Sequence, residues 1–273
     1  MIPRLILALT LLTFLCTRVR AQKEDLSGIY HGLPYVTDST DAYAEERCKL
    51  DLLIPKDTTG FATIVYFHGG GLEFGNRHMA DAWMDAGVAV ATASYRLHPK
   101  VKNPVYTQDA AAAVAWVMTN IEDWGGDPKR IYVSGHSAGG YLTTMIGMDT
   151  TYLGAHGLHP DSLAGLLPFS GHTITHFTAR KERGLEWNDI VVDRYAPLHH
   201  LRVSDLPIAL ITGDRELEIF GRYEENAYFW RMLVASGHKR AELLELDGFG
   251  HSPMLAPASQ LALELIRKWD RKE

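Results

Sequence analysis

The sequence around Ser137 has the residue types and spacing of a serine nucleophile. The stretch Val133–Leu142 reads VSGHSAGGYL, in which Ser137 lies between Gly135 and Gly139 in the pattern G-x-S-x-G. An apolar run precedes the pattern and a helical pattern follows it, so the serine is expected on a tight turn between a strand and a helix. Glycines suit a turn too sharp for side chains. At the start of a helix, amide groups and the helix dipole favour the negative charge that develops during nucleophilic attack.

A second glycine-rich segment follows an earlier apolar run and reads HGGG, His68–Gly71. Acyl transfer creates an oxyanion, and backbone N–H groups must already point towards it. A glycine run lets the backbone approach a substrate closely, and H-G-G-G ahead of the serine turn is a known oxyanion-binding pattern. We predict that Gly70, Gly71 and Ala138 supply these N–H groups, and that His68 braces the loop.

A serine hydroxyl needs a general base, and the base needs an acid that orients it. The chain order Ser, acid, His places the base after the last strand, where LLELDGFGHSP provides His251. The acid is expected after the preceding strand, in ITGDRELEIF, where Asp214 and Glu216 both qualify. Glu218 is predicted to lie too far along the loop.

Strand and helix patterns alternate from about Phe61 onward, as a parallel sheet with helices on both faces requires. Buried strands are predicted in ATIVYFHGG, GVAVATASY, RIYVSG, LAGLLPFSG, LPIALITGD and RAELLELDG. Helices are predicted in TQDAAAAVAWVMTNI, AGGYLTTMIGM, YEENAYFWRMLVASG and SQLALELIRKWD. RCKLDLLIP alternates apolar and polar residues and predicts an antiparallel strand near a sheet edge. Thr151–Pro197 fits this rhythm poorly, and part of it is predicted to be a short cap insertion over the top of the sheet. Ligands of such sheets bind at the carboxyl ends of the strands.

The N-terminal residues have the composition of an export signal. A short basic start is followed by an apolar run, and Val19-Arg20-Ala21 fits the small-x-small rule for cleavage. The apolar run is too short for a stable membrane span. We therefore expect a signal peptide over residues 1–21, a catalytic domain over residues 22–273, and a periplasmic or secreted mature protein without stable membrane insertion.

The overall composition excludes several classes of partner and cofactor. The 273 residues are 46% hydrophobic and 22% charged, with a formal net charge of −6 and no basic stripe, so nucleic acid is not an expected partner. The 13 histidines form no H-E-x-x-H or similar pattern, so neither a catalytic metal nor another cofactor is expected. Arg96 and Asp109 are expected to form a structural ion pair.

The chain resembles the hormone-sensitive-lipase and feruloyl-esterase-like branches of the α/β-hydrolases. The resemblance is carried, in the family's order, by YFHGGGLEFG, SYRLHP, NPVYTQDAAAAVAWV, WGGDPKRIYVSGHSAGGYL, APLHHLRVSDLPIALITGDRE and FGHSP. It implies an α/β-hydrolase fold, a Ser-His-acid triad, no cofactor and the hydrolysis of carboxylic esters. Candidate substrate contacts around such a site are Leu72, His136, His172 and Trp187, although Trp187 also suits the task of holding the insertion in place.

The resemblance also selects between the two candidate acids. In this family the acid usually stands three residues after the glycine that ends its strand, which from Gly213 is Glu216. Most members carry aspartate there, so glutamate is a departure. The related arylformamidases share this spacing and a nearby phenylalanine, which Phe220 matches. Asp214 remains the alternative.

The sequence predicts an exported serine esterase that acts on short-chain or aryl carboxylic esters. Acetyl or feruloyl groups on plant polysaccharide are suggested by the resemblance and by export alone. One alternative is an amide hydrolase of the arylformamidase kind, which uses the same triad. Another is a non-catalytic binding protein on a hydrolase scaffold, but such a protein would have lost the nucleophile, the base or the oxyanion glycines.

Overall fold

The computed structural model describes residues 27–37 and 39–271. The predicted export signal, residues 1–21, lies outside this part of the chain. Among the helices in the described residues, none is long and apolar enough to span a bilayer.

A single sheet of eight strands forms the centre of the described structure, in the order β1-β2-β4-β3-β5-β6-β7-β8. β1 and β2 pair antiparallel, β2 pairs antiparallel with β4, and all the other neighbours are parallel. The strands are β1 (Gly28–Pro34), β2 (Lys49–Ile54), β3 (Phe61–Phe67), β4 (Ala89–Ala93), β5 (Gly126–His136), β6 (Gly165–Phe169), β7 (Ile208–Gly213) and β8 (Ala241–Leu246).

Helices cover both faces of this sheet. They are α1 (Ala42–Arg47), α2 (Val105–Asn120), α3 (Ala138–Met148), α4 (Thr150–Gly154), α5 (Phe177–Lys181), α6 (Arg222–Ala235) and α7 (Leu255–Asp270). Successive side chains of a strand point to opposite faces. In β3, Val65 therefore joins the core beneath α2, α3 and α6, whereas Tyr66 joins the core beneath α7.

This architecture confirms the predicted α/β-hydrolase fold. The predicted strands and helices are present, and β2 is antiparallel near one edge as its alternation indicates. The edge strand β1 was not predicted, since a strand paired on one side only has a weak apolar pattern. Thr151–Pro197 contains β6 but otherwise only short helices and turns, and its later part passes over the carboxyl end of the sheet.

The expected pairing of Arg96 with Asp109 is confirmed. Nη2 of Arg96 lies 2.6 Å from Oδ1 of Asp109, whose side chain is only 3% exposed. The same arginine also contacts Asp41 at 2.7 Å, so it ties the start of α1 to α2. The pair therefore supports the scaffold.

Candidate active site

Ser137 occupies a tight turn between β5 and α3, with φ of 57°, in the left-handed region that residues other than glycine rarely adopt. A first side-chain carbon at Gly135 would lie 2.5 Å from the backbone of Gly139, and one at Gly139 would lie 2.0 Å from the carbonyl oxygen of Phe67. Both distances are far inside van der Waals contact, so the two glycines are sterically required. The strain is concentrated on the residue expected to react, as is common at active sites.

The HGGG segment lies directly against this turn. A first side-chain carbon at Gly69 would be 3.3 Å from Cβ of Ser137, so the loop passes beside the serine. Gly70 and Gly71 both have positive φ, of 108° and 63°. Within the described residues, no acceptor takes the N–H groups of Gly70, Gly71 or Ala138. These are free donors beside the serine, as oxyanion binding requires.

His68 supports the oxyanion loop from below. Its ring stacks on Tyr95 with centroids 4.5 Å apart, and its Nδ1–H donates to the carbonyl of Gly69 over 2.6 Å. Burial lowers the pKa of His68 to about 4, so the ring is neutral at pH 7. A neutral, buried and stacked imidazole is suited to bracing the loop and not to transferring protons.

His251 follows β8 and contacts one carboxylate, that of Glu218. Its Nδ1–H donates to Oε2 of Glu218 over 2.8 Å, and the glutamate side chain is 1% exposed. With the proton on Nδ1, the neutral ring carries its lone pair on Nε2. This tautomer is the one that a general base for a serine hydroxyl requires.

Several donors keep Glu218 ionised in this buried position. Burial alone would raise the pKa of its carboxyl group. Hydrogen bonds from His251 and Ser170, together with the backbone N–H of Ile219, outweigh burial and hold that pKa at about 2. The carboxylate is therefore charged throughout the neutral range and can stabilise an imidazolium at His251.

The prediction of Glu216 as the partner of His251 is wrong, and so is the alternative, Asp214. Asp214 caps the turn, because its side chain accepts from the N–H groups of Glu216 and Gly248 at 2.8 Å each. The N–H of Glu218 donates to the carbonyl of Asp214, which makes one helical turn and returns residue 218 over the end of β7. Glu216 is left exposed on the outer side of that turn.

Gly213 is the reason why the acid stands five residues after the strand end and not three. Its N–H donates to Oε1 of Glu218 over 3.1 Å, and a side-chain carbon at Gly213 would lie 3.0 Å from that same oxygen. The glutamate folds back into the space that the missing side chain leaves. The longer reach of glutamate, compared with aspartate, matches this longer loop.

Ser170, at the carboxyl end of β6, is a site residue that sequence reasoning missed. Its hydroxyl donates to Oε1 of Glu218 over 2.5 Å and lies 3.1 Å from Nδ1 of His251. Its φ is 48°, and its carbonyl accepts from the buried guanidinium of Arg222. The sequence feature that could have identified Ser170 is its position directly after a predicted strand, because side chains at neighbouring strand ends converge.

His136 contacts His251 and is not placed as a substrate ligand. Its Nε2–H donates to the carbonyl of His251 over 2.7 Å, and the two rings lie 4.6 Å apart. Burial, and then the neighbouring His251, lower the pKa of His136 to about 4, so it stays neutral. The residue directly before Ser137 thus ties the histidine loop to the serine turn, which corrects its predicted role in substrate contact.

A cavity of about 510 Å³ borders the site, and we call it the side cavity. Its apolar wall consists of Ile174, Phe177, Trp187, Ile190, Ile219 and Phe220. His172 and Trp187, two of the candidate substrate contacts, line it. Leu72 does not, because its side chain is fully buried in the core. The ring of Phe177 would lie 3.0 Å from a side-chain carbon at Gly71, so the cavity opens beside the oxyanion loop.

Among the described residues, no group of three or more His, Cys, Asp or Glu side chains could hold a metal ion. The one cysteine in this part of the chain, Cys48, is buried and unpaired. Burial raises the pKa of its thiol to about 12, which keeps it protonated and unreactive.

Known proteins resemble this chain at the levels of family, sequence and fold. The BD-FAE family model matches residues 50–220. Carboxylesterase NlhH of Mycobacterium tuberculosis is 30% identical over 171 residues, which are 56% of this chain and 51% of that protein. A probable isoprenylcysteine alpha-carbonyl methylesterase of Oryza sativa is 37% identical over 106 residues, 37% of this chain and 25% of that protein.

Solved structures share the fold at low sequence identity. A truncated carbohydrate esterase from gut microbiota has a TM-score of 0.72 and 19% identity, covering 91% of this chain and 98% of that one. A thermophilic esterase of Thermogutta terrifontis with bound propionate has a TM-score of 0.69 and 22% identity, covering 89% and 95%. The chain spans about half or less of the curated relatives named above. Since the family model covers more than half of the chain, this protein belongs to the BD-FAE family of α/β-hydrolases.

Proposed function

We propose that this protein is a serine carboxylesterase in which Ser137, His251 and Glu218 form the catalytic triad. The observation that carries the proposal is the buried contact of His251 with Glu218, tied through His136 to the strained turn that bears Ser137. The chain is similar to carboxylesterase NlhH, whose name gives the same class of activity.

In the proposed mechanism, Nε2 of His251 removes the proton of the Ser137 hydroxyl as its oxygen attacks the ester carbonyl. The N–H groups of Gly70, Gly71 and Ala138 donate to the oxyanion of the tetrahedral intermediate. Removing one such donor from a hydrolase typically costs about a hundredfold to a thousandfold in turnover. Glu218 keeps its negative charge and stabilises the imidazolium that His251 becomes.

The imidazolium then gives its proton to the leaving alcohol, and an acyl-enzyme forms at Ser137. Water enters, His251 takes one of its protons, and the resulting hydroxyl attacks the acyl carbonyl through the same oxyanion site. Collapse of this second intermediate returns the proton to the serine oxygen and releases the carboxylic acid. The base is regenerated in its starting tautomer because Glu218 still holds Nδ1–H.

The proposed substrates are short-chain or aryl esters, including acetyl or feruloyl esters of polysaccharide. α5 borders the side cavity, whose volume of about 510 Å³ is typical of a small-molecule site. We also propose that the chain is exported and that its leader is cleaved after Ala21. Mass spectrometry of the mature N-terminus, with Gln22 first, tests that part.

A substrate panel combined with active-site labelling tests the proposed function. Purified protein is expected to hydrolyse p-nitrophenyl acetate, and a serine-directed phosphonate is expected to abolish the activity while labelling Ser137. Tryptic peptide mapping identifies the labelled residue. Label on another residue, or full activity after stoichiometric labelling of Ser137, would contradict the assignment.

An amide hydrolase of the arylformamidase kind would use the same three residues. Comparing kcat/KM on p-nitrophenyl acetate and N-formylkynurenine separates the two functions. We expect the ester to be strongly preferred. A higher kcat/KM on N-formylkynurenine would instead assign the amide hydrolase function to this protein.

A further inference from the structure

Two buried guanidinium groups and one largely buried carboxylate lie at the base of the side cavity. The two cations are Arg180 and Arg222, which are 3% and 2% exposed, and the anion is Glu225. Glu225 pairs with Arg222, because Nε of Arg222 donates to its Oε1 over 3.0 Å. The N–H groups of Thr173 and Ile174 also donate to this carboxylate, at 2.9 and 3.2 Å. Glu225 is therefore fully used by the fold.

Arg180 has no such partner. Its Nη1 donates to the backbone carbonyl of Asp189, and its buried Nε has no hydrogen-bond acceptor within the described residues. No carboxylate in the described part of the chain lies within 4.0 Å of its guanidinium. Burial also lowers the pKa of Arg180. Burying an unpaired charge is costly, so a guanidinium in this situation indicates a binding role.

No neighbouring group supplies a direct carboxylate partner within the described residues, although the charges of Glu225 and Asp189 raise the pKa of Arg180 against the effect of burial. Burial, and then the nearby Arg222, lower the pKa of His172 to about 4, so that histidine is neutral at pH 7. Glu224, at the rim, pairs with Arg215 at 2.8 Å. Of the two arginines at the base of the cavity, only Arg222 is in direct contact with a carboxylate, that of Glu225.

We propose that the side cavity binds a free carboxylate carried by the ester substrate, with Arg180 as its ligand. A guanidinium offers planar, paired donors that match a carboxylate. The apolar wall of the cavity contains Phe177, Trp187 and Ile190, which suits an alkyl or aryl body between the carboxylate and the ester. The proposal rests on the proposed esterase function and names the class of ester that the enzyme prefers.

The position of the cavity relative to the reacting groups supports this assignment. Phe177 contacts the oxyanion loop at Gly71, and Ile219 directly follows the triad glutamate. A volume of about 510 Å³ falls in the range typical of small-molecule sites. A substrate with its ester at Ser137 and its second end in the cavity would therefore place an anionic group against Arg180.

Matched pairs of esters test the proposal on both sides of the ester bond. The acyl arm compares p-nitrophenyl hydrogen adipate with p-nitrophenyl hexanoate, and the alcohol arm compares 4-acetoxybenzoate with 4-acetoxybenzamide. In one arm, wild-type kcat/KM is expected to favour the charged ester by about tenfold to a hundredfold, the usual contribution of a charge-assisted hydrogen bond. The arm that responds identifies which half of the substrate carries the carboxylate.

Three variants separate binding from structure. Arg180→Met is expected to remove the preference for the charged ester while leaving the melting temperature equal or higher, since it removes an unpaired buried charge. Arg180→Lys keeps the charge and is expected to retain part of the preference. Arg183→Met makes the same change three residues away, at an arginine that pairs with Asp193 on the surface, and is expected to retain all of it.

Calorimetric titration of the Ser137→Ala protein with monomethyl adipate and with 4-acetoxybenzoate gives a readout independent of catalysis. At least one of the two is expected to bind, and the added change Arg180→Met is expected to weaken binding at least about tenfold. If Ser137 were not the nucleophile, this binding would still be observed, so the two proposals fail separately. The inference would be overturned if wild type and Arg180→Met showed the same preference for the charged ester in both arms. It would also be overturned if the Ser137→Ala protein bound neither carboxylate.

Discussion

Two glutamate–histidine pairs stand at the same edge of the sheet, and their surroundings differ more than their contacts. Glu218 lies 2.8 Å from Nδ1 of His251, and Glu225 lies 2.7 Å from Nδ1 of His172. The pKa of each glutamate is held at about 2, against the effect of burial, in both cases with a contribution from its histidine. Distance and charge state alone would not show which pair performs chemistry.

The neighbours of each pair make the difference. Glu225 also pairs with Arg222, and the second pair faces an additional cation, Arg180, so an imidazolium at His172 is disfavoured. In the part of the chain that the structure describes, no arginine is a hydrogen-bond partner of Glu218, and its charge is available to His251. A carboxylate contact therefore makes a histidine a usable base only where no other cation competes for that carboxylate and a nucleophile is close.

The largest effect is expected at the nucleophile. The Glu218–His251 pair is connected through His136 to the turn that carries Ser137. Ser137→Ala is expected to lower turnover about a millionfold, as loss of a triad nucleophile does in a serine protease. Ester hydrolysis by purified protein measures this, with circular dichroism to verify the fold. A variant that keeps a tenth of the wild-type rate would remove Ser137 from the mechanism.

The second-largest effect is expected at the triad acid and distinguishes Glu218 from Glu216. Glu218→Gln keeps the shape but loses the charge that balances the imidazolium, and the equivalent change in a serine protease costs about ten-thousandfold in turnover. Glu216→Gln is the matched control on the same loop and, being exposed, is expected to change kcat by no more than about twofold. If the two variants exchanged these effects, the loop geometry described above would be wrong.

Ser170→Ala tests the hydroxyl that Glu218 and His251 share. Losing a hydrogen bond to a charged group is expected to lower kcat by about tenfold to a hundredfold. KM should change little, because the hydroxyl acts on the orientation of the triad and not on the substrate. Steady-state kinetics distinguish the two parameters, and a change confined to KM would assign Ser170 to substrate binding instead.

Glu225→Gln probes the second pair, with a small catalytic effect and a large structural one. It leaves Arg222 buried without a carboxylate, which is expected to cost about 3 kcal/mol of the free energy of unfolding. The same change at Glu218 should alter stability less and activity far more. Urea denaturation of both variants beside their kinetics provides the comparison, and equal activity losses would show that the pairs are not functionally distinct.

The pH dependence of stability tests the buried titratable groups in and beside the two pairs. The pKa values of His136 and His172 are lowered from 6.5 to about 4, so the unfolded chain binds more protons and stability falls as pH drops through this window. The two glutamates, lowered from 4.5 to about 2, extend the loss below pH 4.5. Denaturant titrations are expected to show a loss of at least about 2 kcal/mol between pH 7 and 4. Constant stability over that range would mean that these histidines are not buried as neutral rings.

The sequence by itself determined the strands, the helices and the residues whose roles follow from local geometry. Gly135 and Gly139 are required by the backbone around Ser137, and apolar patterns predict β3 through β8 and the main helices that connect them. His251 was predictable because it follows the last strand, and parallel strand ends meet at one edge.

The tertiary structure alone decided which carboxylate contacts His251 and which buried arginine lacks a carboxylate partner. The selection of Glu218 over Glu216 depends on a helical turn after β7 and on the space at Gly213, neither of which a spacing rule contains. Arg180 and Arg222 look alike in the sequence, and only the packing of α5 and α6 gives Glu225 to one of them. Both outcomes follow from contacts between segments far apart in the chain, where a shift of one or two residues in a loop changes which charges meet.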